Sequence, residues 1–153
     1  MADTETAVFR ASLEPKVYRE LEIAGTSTLY ALAKAIVTSF DFDFDHAFGF
    51  YSKLKGDIFK SPGRYELFVD IGEGDGVARG VQRARIATAF PTPRAKMRFL
   101  FDYGDGWEFV VELIKRQPKQ AGVKLPRLLV SVGEAPEQYP AFDDPEDDED
   151  VED

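Results

Sequence analysis

Apolar residues fall on odd positions from Met97 through Phe99, Phe101 and Tyr103, and again from Trp107 through Phe109, Val111 and Leu113. Period-two alternation on both sides of a Gly-Asp-Gly run predicts two half-buried strands joined as a hairpin. Residues opposite one another share a face, and a slip of one residue inverts a strand. A two-residue turn at Asp105-Gly106 sets Tyr103 against Glu108 and splits the aromatic face. A three-residue loop, Gly104 to Gly106, pairs Tyr103 with Trp107, Phe101 with Phe109 and Phe99 with Val111. The second register is expected, with Gly106 left-handed. Its other face sets Arg98 against Glu112, Leu100 against Val110 and Asp102 against Glu108.

Upstream, Thr6 to Leu13 and Val17 to Ile23 alternate around Glu14-Pro15-Lys16 and predict an antiparallel pair. Leu29, Leu32, Ala33, Ile36, Val37 and Phe40 recur at helical spacing and predict a helix over 27–40, capped by Thr26 or Ser27. Its apolar stripe needs a sheet to cover, and the aromatic hairpin is the natural partner. His46 to Lys53 and Arg64 to Asp70 read as two more strands. Ile71 to Gly80 is a Gly-rich surface connection with neither a dinucleotide fingerprint nor a Gly-Lys-Ser/Thr loop. Val81 to Phe90 reads as a short helix stopped by Pro91 and Pro93. Lys115 to Arg127 is a basic connector before a short strand at Leu128 to Val132. The expected fold class is α+β, a mostly antiparallel sheet of five to seven strands packed against one long helix. One domain is expected over 1–142, and 143–153 reads as a disordered acidic tail by composition.

At 153 residues the chain is long enough for a core without staples, and it contains no cysteine, which excludes disulfides and thiolate metal sites. No run reaches the length of a membrane span, and MADTETAVFR lacks a basic-then-apolar leader pattern, so a cytoplasmic location and no membrane partner are expected. The net charge of −9 is unevenly placed: residues 143–153 hold nine acids and no base, whereas 79–127 hold 11 Lys and Arg against four acids. The basic half suggests a nucleic-acid or protein partner, with Arg79, Arg83, Arg85, Lys115, Arg116 and Lys119 as candidate phosphate contacts. The competing reading is a solvated, mixed-charge surface with a solubility tail.

Candidate chemistry gathers at the hairpin tip. Asp102, Asp105 and Glu108 are three carboxylates close in sequence, and Tyr103, Trp107 and the single histidine, His46, complete the candidate binding set. A cation site or a socket for a basic side chain competes with local turn geometry for Asp105. The aromatic face is either a stacking platform or core, and core is expected. Asp41 to Asp45, DFDFD, resembles the opening of a calcium loop, but His46 and Ser52 stand where that loop needs Gly and an acid. No nucleophile sits beside a base in a recognisable pattern. No metal site and no cofactor are expected, and no catalytic residue is identified.

The DYGDGW run followed by EFVVEL resembles the D-[FY]-G-D-x-W signature of the plasmid pRiA-type Orf-three-like family, uncharacterised bacterial proteins of plasmids and mobile elements. Upstream, STLYALAKAIVTSFDFDFDHAFGF is similar to the family's helix followed by F-G-W-x-D-x-H-x-H-x-F. Phe40, Asp43 or Asp45, His46 and Phe50 fit that pattern. Asp41 stands in place of Gly, Phe42 in place of Trp and Phe48 in place of the second His. GVKLPRLL resembles a further segment, with Leu128 in place of Cys. The likeness spans about residues 6 to 140. The function expected from the residues themselves, which show no catalytic constellation, is a small binding or accessory module without catalysis. The alternative is a metal-dependent hydrolytic enzyme using the acidic hairpin tip.

Overall fold

The structure is a computed structural model that describes residues 4–140; the acidic tail anticipated at 143–153 lies outside the described residues. Seven strands form one antiparallel sheet in the order β4-β3-β5-β6-β1-β2-β7. They are β1 (Glu5–Glu14), β2 (Val17–Ala24), β3 (Phe48–Tyr51), β4 (Arg64–Glu66), β5 (Lys96–Phe101), β6 (Trp107–Pro118) and β7 (Arg127–Val132). Three helices, α1 (Leu29–Ser39), α2 (Leu67–Asp70) and α3 (Ile86–Ala89), and a 3₁₀ turn at Ile58–Lys60 complete the fold.

The anticipated stripe builds α1: Leu29, Leu32, Ala33, Ile36 and Val37 are buried. They cover the sheet face carrying Phe48, Phe50, Phe99, Phe101 and Phe109, where Phe50 stacks on Phe99 with centroids 4.7 Å apart. The helix is not long, however. It has 11 residues, and its cap is Thr28 rather than Thr26 or Ser27, with the Thr28 hydroxyl accepting from Ala31 N–H at 3.2 Å.

Two other expected elements are shorter, for identifiable reasons. The strand expected over 64–70 stops at Glu66 and turns into α2. There Asp70 uses its carboxylate to accept the N–H groups of Val81 and Gln82. The helix expected over 81–90 is reduced to Ile86–Ala89. Residues 81–84 form bends and irregular chain, not helix, because the Val81 and Ala84 carbonyls accept from the N–H groups of Tyr30 and Leu29, which α1 leaves unpaired at its start.

The hairpin register differs from expectation by two residues. Phe101 pairs with Trp107, Phe99 with Phe109 and Met97 with Val111. On the other face Arg98 meets Val110 and Leu100 meets Glu108, so Asp102 does not oppose Glu108 and Arg98 does not oppose Glu112. Parity survives a shift of two, and Phe99, Phe101, Trp107 and Phe109 share the α1 side. The loop runs from Asp102 to Gly106 because Asp102 leaves the ladder in a left-handed conformation, φ 67°. Its N–H donates to the Ala47 carbonyl on the β3 side, and its own carbonyl accepts from Gly106 N–H at 2.6 Å. Gly106 is left-handed as expected, φ 73°.

Candidate functional site

The hairpin tip faces the loop that leaves α1. Asp102 is 4% exposed. One of its carboxylate oxygens, Oδ1, accepts from Gly104 N–H at 3.1 Å and Asp105 N–H at 3.2 Å. The other, Oδ2, lies 3.6 Å from His46 Nδ1. Asp45 Oδ1 meets the same His46 nitrogen at 2.8 Å, and the Tyr139 hydroxyl donates to Asp45 Oδ2 at 2.8 Å. The hydrogen bond that His46 donates to Asp45, reinforced by the charges of Asp102, Asp45 and Asp105, raises the His46 pKa above its ordinary 6.5. Donation from Tyr139, followed by that from His46, lowers the Asp45 carboxyl. The chain's last described turn is held by Gln138, whose side-chain amide accepts from Asp43 N–H at 2.6 Å and donates to the Asp43 carbonyl at 3.0 Å.

The expected set divides at this point. Asp102 and His46 come together, with exposed Asp105 close enough to act on the imidazole electrostatically. Trp107 is half-buried against Phe42, centroids 4.8 Å apart, as part of the core's rim. Glu108 lies elsewhere, with its carboxylate 3.6 Å from Arg98 on the opposite face. The three carboxylates therefore do not converge, and among the described residues no group of three or more His, Cys, Asp or Glu could hold a metal ion.

Tyr103 corrects the expectation that it shares a face with Trp107. Its hydroxyl lies 2.6 Å from that of Tyr51, and its ring packs on Phe68 at 4.9 Å. Tyr51 alternates with Phe50, which faces α1, so this pair occupies the far side of the sheet. Tyr51 donates to Glu66 Oε2 at 2.6 Å, and Arg64 reaches both Glu66 at 3.2 Å and Asp75 at 2.5 Å. Burial, followed by the bond to Glu66, pushes the Tyr51 phenol upward, and burial pushes Tyr103 up to about 12. The amides of Val77 and Ala78, with Arg64, hold Asp75 down to about 2. This buried polar layer was not legible in the sequence, where Arg64 and Glu66 look like the solvated positions of an alternating strand. The Arg64 Nε within it is buried without a hydrogen-bond partner.

The basic residues divide as well. Arg79, Arg83 and Arg85 line one cleft of about 440 Å³ with Tyr65, Val69, Asp70, Gly80, Ala84 and Thr88. None of the ion pairs among the described residues uses these three arginines. Backbone pairing fixes Arg79 beside β4, its N–H donating to the Arg64 carbonyl and its carbonyl accepting from Glu66 N–H. The Arg85 guanidinium donates to the Thr26 carbonyl. Arg85 precedes α3, and Arg116 donates to the Phe90 and Pro91 carbonyls at its other end. Arg116 pairs with Ala7, whose side chain enters the core under α1, so it shares that side. Lys115 pairs with Val8 and points to the opposite face. Lys119 is exposed, its N–H donating to the Thr4 carbonyl. Thus Arg79, Arg83, Arg85 and Arg116 belong to one side, whereas Lys115 does not.

The fold and its two polar clusters define a single-sheet α+β domain of the type carrying the DYGDGW hairpin. The chain belongs to the plasmid pRiA4b ORF-3-like protein family, whose profile matches residues 7–139. No curated protein matches. Among solved structures, the chain is similar to the crystal structure of a protein of unknown function from Methanosarcina mazei Go1. The TM-score is 0.68 at 20% identity over 86% of this chain and 71% of that one, a likeness of fold. No helix among the described residues is long and apolar enough to cross a membrane.

Proposed function

We propose that this protein is a non-catalytic binding module that grips nucleic-acid phosphates through the cleft of Arg79, Arg83 and Arg85. One observation carries the reading. Three arginines line a single concave site, and none forms an ion pair with an acid among the described residues. Guanidinium groups match phosphate oxygens with paired donors, which suits them to positioning a polyanion. Tyr65 and Thr88 add a ring and a hydroxyl to the lining. Asp70 does not oppose the anion at full strength, because its carboxylate is engaged by Val81 and Gln82 N–H. Arg116 extends the basic side past α3. The reading takes the cytoplasm as the place of action, and association with mobile elements, which the family resemblance suggests, as its setting.

Fluorescence anisotropy with labelled duplex and single-stranded oligonucleotides tests the proposal on the full chain. Three neutralised phosphates predict a slope of about −3 in log K against log salt for a duplex. Arg79→Ala/Arg83→Ala should reduce that slope by about 2 and weaken binding of unrelated sequences alike. No binding at 20 mM salt, or an unchanged slope in the double variant, overturns the proposal.

A further inference from the structure

α1 covers its face of the sheet unevenly. Its large apolar residues, Leu29, Leu32, Ile36 and Val37, are buried in the core. The flank beside β2 and β7 carries Ala31 and Ala35, one turn apart and only partly buried. Side chains this small leave space above Leu21 and Ile23 of β2 and Leu128 of β7, which pairs with Leu21. The result is a groove of about 700 Å³, flanked by Leu125 and Pro126. Sites for small molecules commonly enclose about 300–1,000 Å³ between mostly apolar walls, with a few polar groups that orient the ligand.

The polar groups of this groove gather at one end. β2 and α1 run in opposite directions, so Arg19 near the start of β2 meets Ser39 at the end of α1. Thr38, Asp41 and Ser131 line the same end, Ser131 because it pairs with Arg19 across β2 and β7. Ile23, Ala31, Leu125 and Pro126 line the other. Helix rise puts about 12 Å between Ala31 and Ser39. The groove is therefore elongated, with a polar end and an apolar length.

Arg19 decides the charge of the ligand. It is 5% exposed, and none of the ion pairs among the described residues uses it. Its Nε donates to the Ser39 carbonyl at 3.1 Å, and its Nη1 reaches the Tyr18, Val132 and Gly133 carbonyls at 3.0 Å. These bonds fix the guanidinium but leave Nη2 without a hydrogen bond among the described residues. A buried cation without a counter-ion is costly, and a ligand anion would supply one. Lys34, exposed and one turn before Thr38, adds a second cation outside those ion pairs. Asp41 is the only acid among the described lining residues and pairs with neither. Arg127 also lines the groove, but its guanidinium is engaged by Glu22.

We infer that the groove between α1 and β2–β7 binds a linear alkyl carboxylate, a medium-chain fatty acid, with its head at Arg19 and its tail along Ala35, Ala31 and Leu21. The site is separate from the arginine cleft, so it stands whether or not that cleft binds nucleic acid.

Isothermal titration calorimetry of the full chain with decanoate tests this. One equivalent should bind with a Kd below about 100 µM. The decyltrimethylammonium cation keeps the tail and reverses the head, and it should bind about tenfold more weakly or worse. Ala35→Phe fills the groove from a partly exposed helix position; it should keep the native circular dichroism spectrum and weaken decanoate by a similar factor. Decanoate should shift the amide resonances of Ala31, Ala35 and Ser131 and leave those of Arg79 and Arg83 in place. No binding at about 1 mM decanoate, equal binding of the two head groups, or affinity unchanged by Ala35→Phe overturns the inference. So does a dimer in sedimentation velocity that Ala35→Phe abolishes, which would give the groove to a second copy of the chain.

Discussion

The phenol oxygens of Tyr51 and Tyr103 lie 2.6 Å apart on the sheet face remote from α1, and the chain of hydrogen bonds they begin ends on the buried carboxylate of Glu66. Burial holds Tyr103 at about 12, above its ordinary 10.0, and pushes Tyr51 upward too. Groups held neutral in this way stabilise the fold fully below pH 10. For Tyr103 that stabilisation is lost as pH rises from about 10 through about 12. Urea denaturation between pH 8 and 12 should show stability falling over that window. Tyr103→Phe should flatten part of the fall, and a wild-type profile level to pH 12 would refute this account.

Gly49 lies beneath the same pair. A Cβ there would stand 2.7 Å from the Tyr103 hydroxyl and 2.8 Å from that of Tyr51. Gly49→Ala should therefore cost about 1–3 kcal/mol through overpacking. Part of that cost should vanish in Gly49→Ala/Tyr103→Phe, where one crowding oxygen is gone. A double-mutant cycle from denaturation midpoints checks the coupling, and strict additivity would count against the contact.

Asp102 combines a left-handed backbone with a carboxylate that binds the two following amides. Asp102→Ala forfeits the amide bonds and keeps the strain, an expected loss of about 2–3 kcal/mol. Asp102→Asn retains an acceptor and tolerates the left-handed region, so it should cost about 1 kcal/mol or less. Equal losses in the two variants, measured by urea denaturation, would contradict this assignment.

His46 is the only histidine, so its ring protons give one titration curve by nuclear magnetic resonance. Its folded pKa should exceed 6.5, chiefly because of Asp45 and then Asp102. A raised histidine stabilises the fold fully below the unfolded value and ceases to do so as pH rises through the folded one. Asp45→Asn should move the midpoint down towards 6.5. Tyr139→Phe removes a hydroxyl 3.1 Å from His46 Nδ1 but should leave the imidazole raised, since the bond to Asp45 is retained.

What the sequence made legible was the apolar half of the structure. The spacing of Leu29 to Phe40 located α1, and parity placed Phe99, Phe101, Trp107 and Phe109 on one face because both signals report burial directly. The turn was less legible. Gly106 was recognisable, but Asp102 looked like one more alternating residue, and nothing local shows that Ala47 takes its amide out of the ladder. Tyr103 followed Asp102 to the wrong side for the same reason. Residues 81–85 kept a helical pattern, yet the start of α1 needed their carbonyls. For the candidate site, Asp102 and His46 were identifiable from the shared hairpin and loop motifs. The contacts of Tyr139 with Asp45 and His46, like the Tyr51–Glu66–Arg64 layer, are distant in sequence. The arginines of the cleft were legible as a basic run but not as a surface, because charge counts carry no facing.

Facing is set in β6 by one residue. Between Val8, which meets Lys115, and Phe9, which meets Leu113, Ile114 has no counterpart on β1. Were Ile114 to take up a regular place opposite Val8, Lys115 would slide opposite Ala7 and point beneath α3, while Arg116 would swing to the far side. With every basic amino acid retained, that one step of register would exchange which cation addresses the Phe90 and Pro91 carbonyls. The surplus residue at Ile114, more than the choice of lysine or arginine, governs which cation of β6 lies on which side of the sheet.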